Sequence, residues 1–327
     1  MPMIPRPAIA AALTAVLTVA LLLGACGSAD VRDGEGDGIS VVATFPLIGE
    51  LATRIAGADV AVATLIPLGV DEHAYQPSTT VARTVAGADL ALVNGYHLEE
   101  GLLSIIVENV RDGVPVVAVS RGLEALEGGH DDEEHEGEDE EAVPAGKGLV
   151  DDAAFAEGDP HFWLSVRNAI GYAENIRDAL VALDPGGADG YRERATELIA
   201  ELEALDSEIR ETLSVIPAER RKIVVFHDAY EYFAQAYDFE VIASVAPSNP
   251  NQAASAAAIA AIVDTVRAEG VTTIYREPQY SAQALDVIAE ESGAKVAVLY
   301  SIPTDDVPSY AAMMRANARA LVEGLGR

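Results

Sequence analysis

The strongest constraint on this chain is an alternation that occurs twice. Short apolar, β-rich runs stand at Ser40–Thr44, Val60–Leu65, Leu90–Asn94 and Val116–Val119, with a helical stretch through Ala52–Ile55 after the first. The pattern returns at Ile223–Phe226, Val241–Ser244, Thr272–Tyr275 and Lys295–Leu299, with helical stretches at Asn251–Ala268 and Ala282–Ser292. Strands that return through helices pair in parallel and have both sheet faces covered. The expected class is therefore α/β, with one parallel sheet in each half.

Between the halves lie two long helix candidates. One runs from about Val166 to Leu183 and stops at Asp184-Pro185-Gly186-Gly187. The other runs from about Asp189 to Ser214 and carries Ala195, Leu198, Ile199, Leu202, Leu205 and Ile209, the spacing of one apolar stripe. The second is the candidate connector. The expected organisation is a Rossmann-like lobe over residues 39–186, a long rigid helix over 187–215 and a second such lobe over 216–327. Ligands of open α/β sheets bind at the carboxyl ends of the strands. Ligand-binding residues are thus expected just past the strand ends in each half.

The first residues read differently. Arg6 precedes an apolar run from Ala8 to Leu23, followed by Gly24, Ala25, Cys26 and Gly27. A positive charge, a short apolar run and small residues make a secretory signal over residues 1–25. The run is short for a membrane span, which needs ~20 residues. The Leu-Gly-Ala-Cys ending resembles a bacterial lipobox, which implies a lipid anchor on Cys26; an ordinary signal with an incidental cysteine is the alternative. Residues 26–38 read as a tether. Cys26 is the one cysteine of the chain, so neither an internal disulfide nor a Cys-based zinc site is available. The formal charge is −32, and nine of those units lie in residues 129–141 alone. Such a surface attracts cations and repels nucleic acid, so no nucleic-acid partner is expected.

Histidine is scarce, with six residues. His130 and His135 sit inside the acidic run, in a segment (128–148) without hydrophobic periodicity. That segment reads as a solvated loop, with weak accessory metal contact as its functional reading. His73 lies in Gly-Val-Asp-Glu-His-Ala-Tyr-Gln-Pro-Ser, past the end of a strand. His227 follows the strand Ile223–Phe226 in what reads as the equivalent place of the second half. His161 lies in Asp-Pro-His-Phe-Trp-Leu-Ser, where Asp159 is placed to orient the imidazole. His97, in Asn-Gly-Tyr-His-Leu-Glu-Glu, also follows a strand but is a weaker ligand candidate. Each histidine alone suits a structural role. Together they form a ligand set spread over both halves.

These three motifs, in this order, resemble those of the cluster A-I solute-binding proteins of bacterial ABC importers, the zinc and manganese receptors. The resemblance runs from about Ser40 to Leu325. It implies two α/β lobes joined by a long helix with the metal held in the cleft between them, and it carries metal-ligand roles to His73, His161 and His227. It further implies a cargo ion delivered to a membrane permease driven by a cytoplasmic ATPase, and a monomeric receptor on the outer face of the cytoplasmic membrane. Many members supply an aspartate after the last strand as fourth ligand. Here that position falls on Ile302, leaving Glu72, Asp305, Asp306 or water. Three neutral imidazoles favour Zn(II) over manganese, which prefers oxygen donors. A manganese or mixed-metal receptor is the alternative within the family. Outside it, the rivals are a zinc-buffering or adhesion lipoprotein and a zinc hydrolase. No His-Glu-x-x-His or Gly-x-Ser-x-Gly motif supports a hydrolase.

Overall fold

The computed structural model describes residues 38–127, 149–246 and 254–326. The expectations for the signal, Cys26, the tether up to residue 37, the acidic loop 128–148 with His130 and His135, and the start of the Asn251–Ala268 helix lie outside these residues. The first half builds β1 (Ser40–Ala43), α1 (Pro46–Ala56), β2 (Ala61–Thr64), α2 (Thr79–Ala86), β3 (Leu90–Val93), α3 (Glu100–Asn109), β4 (Pro115–Ala118) and the two-residue β5 (Leu149–Val150). Then come α4 (Val166–Leu183) and α5 (Ala188–Leu213). The second half builds β6 (Lys222–His227), α6 (Glu231–Tyr237), β7 (Glu240–Ala246), α7 (Ala256–Ala268), β8 (Thr273–Arg276), α8 (Gln283–Ser292), β9 (Lys295–Val298) and α9 (Tyr310–Leu325).

The first sheet has the order β2-β1-β3-β4-β5 and the second β7-β6-β8-β9. Every strand pair in both is parallel. Each order reverses direction once, between β1 and β3 in the first sheet and between β6 and β8 in the second. Such switch points open a crevice at the carboxyl ends of the strands.

Local chemistry sets the helix limits. Pro46 occupies the first turn of α1, where its missing N–H costs nothing. Gly57, at φ 76°, ends the helix while its N–H returns to Thr53. The Asp184 carboxylate accepts the N–H groups of Gly186 and Gly187, turning the chain from α4 into α5. α5 has 26 residues, about 39 Å at 1.5 Å per residue. It buries Tyr191, Ala195, Leu198, Leu202, Leu205, Ile209 and Leu213 and packs against α1, α4 and α9.

Two apolar cores result. The larger takes residues from both sheets and from α1, α4, α5 and α9. The smaller lies on one side of the second sheet, beneath α7 and α8, and includes Val224, Phe226, Val263, Ile274 and Leu285. β6 alternates between them: Ile223 and Val225 belong to the larger core, Val224 and Phe226 to the smaller.

Candidate metal centre

His73, His161 and His227 come together. Each offers one ring nitrogen, and the three nitrogens lie within 4.8 Å of one another. His73 Nε2 and His161 Nε2 are 3.2 Å apart. Ring centroids are separated by 5.3 Å (His73–His161), 5.4 Å (His73–His227) and 4.8 Å (His161–His227). A zinc ion with four ligands at ~2.0–2.1 Å places neighbouring nitrogens ~3.3 Å apart, so the His73–His161 edge already has the length of a coordination edge. His161 and His227 are buried and His73 is partly exposed.

Three different local structures deliver these side chains. His227 is the last residue of β6, a central strand at the switch point of the second sheet. His73 lies nine residues beyond β2, an edge strand, so the two do not occupy equivalent places as their sequences suggest. The His73 segment is an irregular loop tied down by backbone: Gly69 N–H donates to Pro303 O at 3.0 Å. Asp71 Oδ1 accepts the His73 N–H at 3.0 Å and the Tyr280 hydroxyl at 3.3 Å, linking the two halves.

His161 is held most tightly. Asp159 Oδ1 accepts both its backbone N–H at 2.9 Å and its Nδ1 at 2.7 Å, which leaves Nε2 for a ligand. The Tyr232 hydroxyl donates to Asp159 O at 2.8 Å, and Asn94 Nδ2 donates to Pro160 O at 2.9 Å. Asn94 is at the switch point of the first sheet. Its side chain also accepts the Tyr172 hydroxyl, and Glu99 Oε1 accepts Asn94 N at 2.7 Å and Thr44 Oγ1 at 2.5 Å. Beyond His161, the Trp163 indole donates to Ser301 O at 2.6 Å, and its ring lies 5.4 Å from that of His161.

The candidates for a fourth ligand separate clearly by environment. Asp305 and Asp306 are exposed at the tip of a turn closed by the Thr304–Val307 bridge, and neither joins the cluster. Ile302 packs in the larger core. Glu72 is 2 % exposed, and neither carboxylate oxygen has a hydrogen-bond partner. Burial pushes its carboxyl up to about 8, with Asp71 and Glu277 adding to the rise.

Glu277 is the site residue that sequence reasoning missed. It is 1 % exposed and its Oε1 lies 3.5 Å from His227 Nδ1. It follows β8 directly, so the strand-end rule that selected His227 also selects it; the signal is a carboxylate in Arg-Glu-Pro-Gln after an apolar run. Burial pulls the His227 imidazole down, but Glu277, then Glu72 and Asp71, reverse that and leave it raised. Burial also lifts Asp159 to about 7. His97 takes no part: its Nε2 faces Phe155 O at 3.2 Å and Glu157 at 3.5 Å.

Donor chemistry and packing thus describe a buried, nitrogen-rich pocket ringed by carboxylates, suited to a divalent cation. Comparison with known proteins agrees. Residues 41–324 match the family described as ZnuA, zinc-uptake complex component A, periplasmic. The manganese-binding lipoprotein MntA of Halalkalibacterium halodurans is 31 % identical over 95 % of this chain and 97 % of its own. The iron-binding protein YfeA of Yersinia pestis is 29 % identical over 97 % and 96 %. Among solved structures, the periplasmic zinc-binding protein TroA of Treponema pallidum superposes with a TM-score of 0.73 at 25 % identity, over 89 % of this chain and 100 % of that one. The fold, the histidine cluster and these matches place the chain in the ZnuA family, the metal-binding substrate-binding proteins of ABC importers.

Proposed function

We propose that this protein captures Zn(II) outside the cell membrane and delivers it to an ABC permease. As a member of a family of solute-binding receptors, it is not an enzyme. The observation that carries the zinc reading is the donor set: three imidazole nitrogens within 4.8 Å of one another, from three separate segments of both halves. Neutral imidazole suits zinc, and manganese is the weakest binder of the divalent series at nitrogen sites. In this reading His73, His161 and His227 hold the ion, and the fourth position falls to Glu72, buried beside His73 though outside the three-nitrogen cluster, or to water. Among the described residues no helix is long and apolar enough to cross a membrane. In this reading the protein is a monomer that stays at the outer face of the membrane through a lipid on Cys26. A cytoplasmic ATPase drives transfer through the permease.

A second reading rests on the carboxylates. Glu72 and Glu277 supply buried oxygens beside the cluster, and oxygen donors suit manganese and ferrous iron. Relatives named for manganese and for iron accord with it. Chelator-competition titration decides: zinc should bind one tight site that His73→Ala weakens at least 100-fold, and excess manganese should fail to displace it. Undiminished zinc binding by His73→Ala refutes the site. Displacement by equimolar manganese favours the second reading.

A further inference from the structure

Buried polar atoms without partners are unevenly distributed in this protein. Among the described residues they are both oxygens of Glu72, His227 Nδ1, Tyr230 Oη, Tyr275 Oη, Glu277 Oε2, Gln279 Oε1 and Thr304 Oγ1. A buried group left unsatisfied costs ~1–3 kcal/mol, so a native fold retains such groups where they have work to do. All but Tyr275 lie in segments that flank the histidine cluster.

One donor–acceptor pair stands out among them. In the second sheet, Val225 of β6 pairs with Tyr275 of β8. Two residues further along parallel strands, the same register sets His227 opposite Glu277. Side chains two apart on a strand share a face, so both project into the crevice at the β6/β8 switch point. His227 Nδ1 and Glu277 Oε1 face each other at 3.5 Å, about 0.7 Å longer than a charge-assisted N–H···O bond. Gln279 Nε2 approaches the same oxygen at 3.4 Å and also donates to Ser301 Oγ at 2.9 Å, a partner that steadies the Glu277 side.

We propose that Glu277 is the positioning residue of His227. Its carboxylate accepts a hydrogen bond from Nδ1–H, fixes the tautomer that leaves Nε2 bare, and closes the 3.5 Å gap when the cation arrives. The first half provides the comparison within the same molecule. There Asp159 already holds His161 Nδ1 at 2.7 Å. A cation on Nε2 withdraws electron density from the ring and makes Nδ1–H a stronger donor, which draws the carboxylate in. The two positioning carboxylates also bring negative charge to the far side of two of the three neutral imidazoles, where it favours a dication at the bare nitrogens. Each half thus brings its own carboxylate–imidazole pair, set by a different local device: an Asp-Pro-His turn in one, a strand register in the other.

The inference rests on the proposed reading of the three histidines, and the test separates the two. Glu277→Met keeps side-chain length but cannot accept the hydrogen bond; Glu277→Gln can, through its amide oxygen. Zinc affinity is measured by chelator competition. The His227 tautomer is read from ¹⁵N shifts of histidine-labelled protein, and urea unfolding reports folding of each variant. Glu277→Met should bind zinc 10–100-fold more weakly and show His227 as a mixture of tautomers. Glu277→Gln should recover most of the affinity and the single tautomer. Wild-type affinity in Glu277→Met, or weakened binding with an unchanged tautomer, overturns the proposal. So does a Glu277→Gln variant as weak as Glu277→Met. If His73→Ala also binds zinc normally, it is the site that fails and not the role of Glu277 alone.

Discussion

Asn94 offers the sharpest test of how the fold reaches the site. It is fully buried and touches no ligand atom, yet it ties Pro160, beside His161, to the first sheet. In Asn94→Ala, Pro160 O loses its 2.9 Å donor and the Tyr172 hydroxyl loses its acceptor, both in the interior. Each group left unpaired costs ~1–3 kcal/mol. Two of them set the expected destabilisation at about 2–6 kcal/mol, at the high end for a single substitution. The same change frees the Asp-Pro-His turn from one of its anchors. Ligating groups need to be held within ~0.5 Å, so zinc affinity should fall by about tenfold, although His161 keeps Asp159. Urea unfolding of the metal-free protein gives the first quantity and chelator competition the second. Stability within ~0.5 kcal/mol of wild type would mean that Asn94 is a bystander. A large loss of stability with unchanged affinity would mean that the turn is placed by Tyr232 and Asp159 alone.

Three further outcomes are expected. Gly95 stands at φ 93°, and a Cβ there would lie 2.5 Å from Ala153 O; Gly95→Ala should therefore destabilise by more than ~1 kcal/mol in urea unfolding. Trp163, the one tryptophan of the chain, lies 5.4 Å from the His161 ring, so zinc titration should change its fluorescence and His161→Ala should abolish the change. Burial lifts the Glu99 carboxyl against hydrogen bonds from Thr44 and Asn94. Above its ordinary range of ~4.3 the folded protein then holds a proton that the unfolded chain has lost, and stability falls as pH rises through that interval. Glu72, Asp159 and His227, all raised, act with the same sign. Urea midpoints of the metal-free protein should decline from pH 5 to 8, and Glu99→Gln should decline less.

Much of this arrangement can be read from residues in order. β6, β8 and β9 are short apolar runs bounded by polar residues. The stripe of α5 shows in its spacing, with Ile199 partly buried beside the others. Asp159 is legible as the partner of His161 because it is two residues away. What escapes is whatever depends on pairing between distant strands. Glu277 matters because β8 lies beside β6 in one register, and no local pattern records that register. The burial of Glu72 is likewise set by the second half closing over the His73 loop. α2 and α6 escape for a different reason. At eight and seven residues, they are too short to show a helical period. β5 is two residues held only by its neighbour β4.

The division of β6 between two cores has a consequence for how the molecule breathes. The layer of α7 and α8 rests on a small apolar set of its own, while the opposite face of the same sheet is locked into the interior shared by both halves. Sub-global openings follow such seams. Amide exchange should find two tiers, with α7 and α8 opening well before α4, α5 and α9. The strand that ends in His227 sits on that seam. Its backbone belongs to the durable tier, and the covering over one of its faces to the labile one. Tyr280 belongs to the same small set and donates to Asp71, which holds the His73 backbone, so loosening that covering should reach His227 and His73 before His161, whose anchors Asp159 and Asn94 lie in the first half.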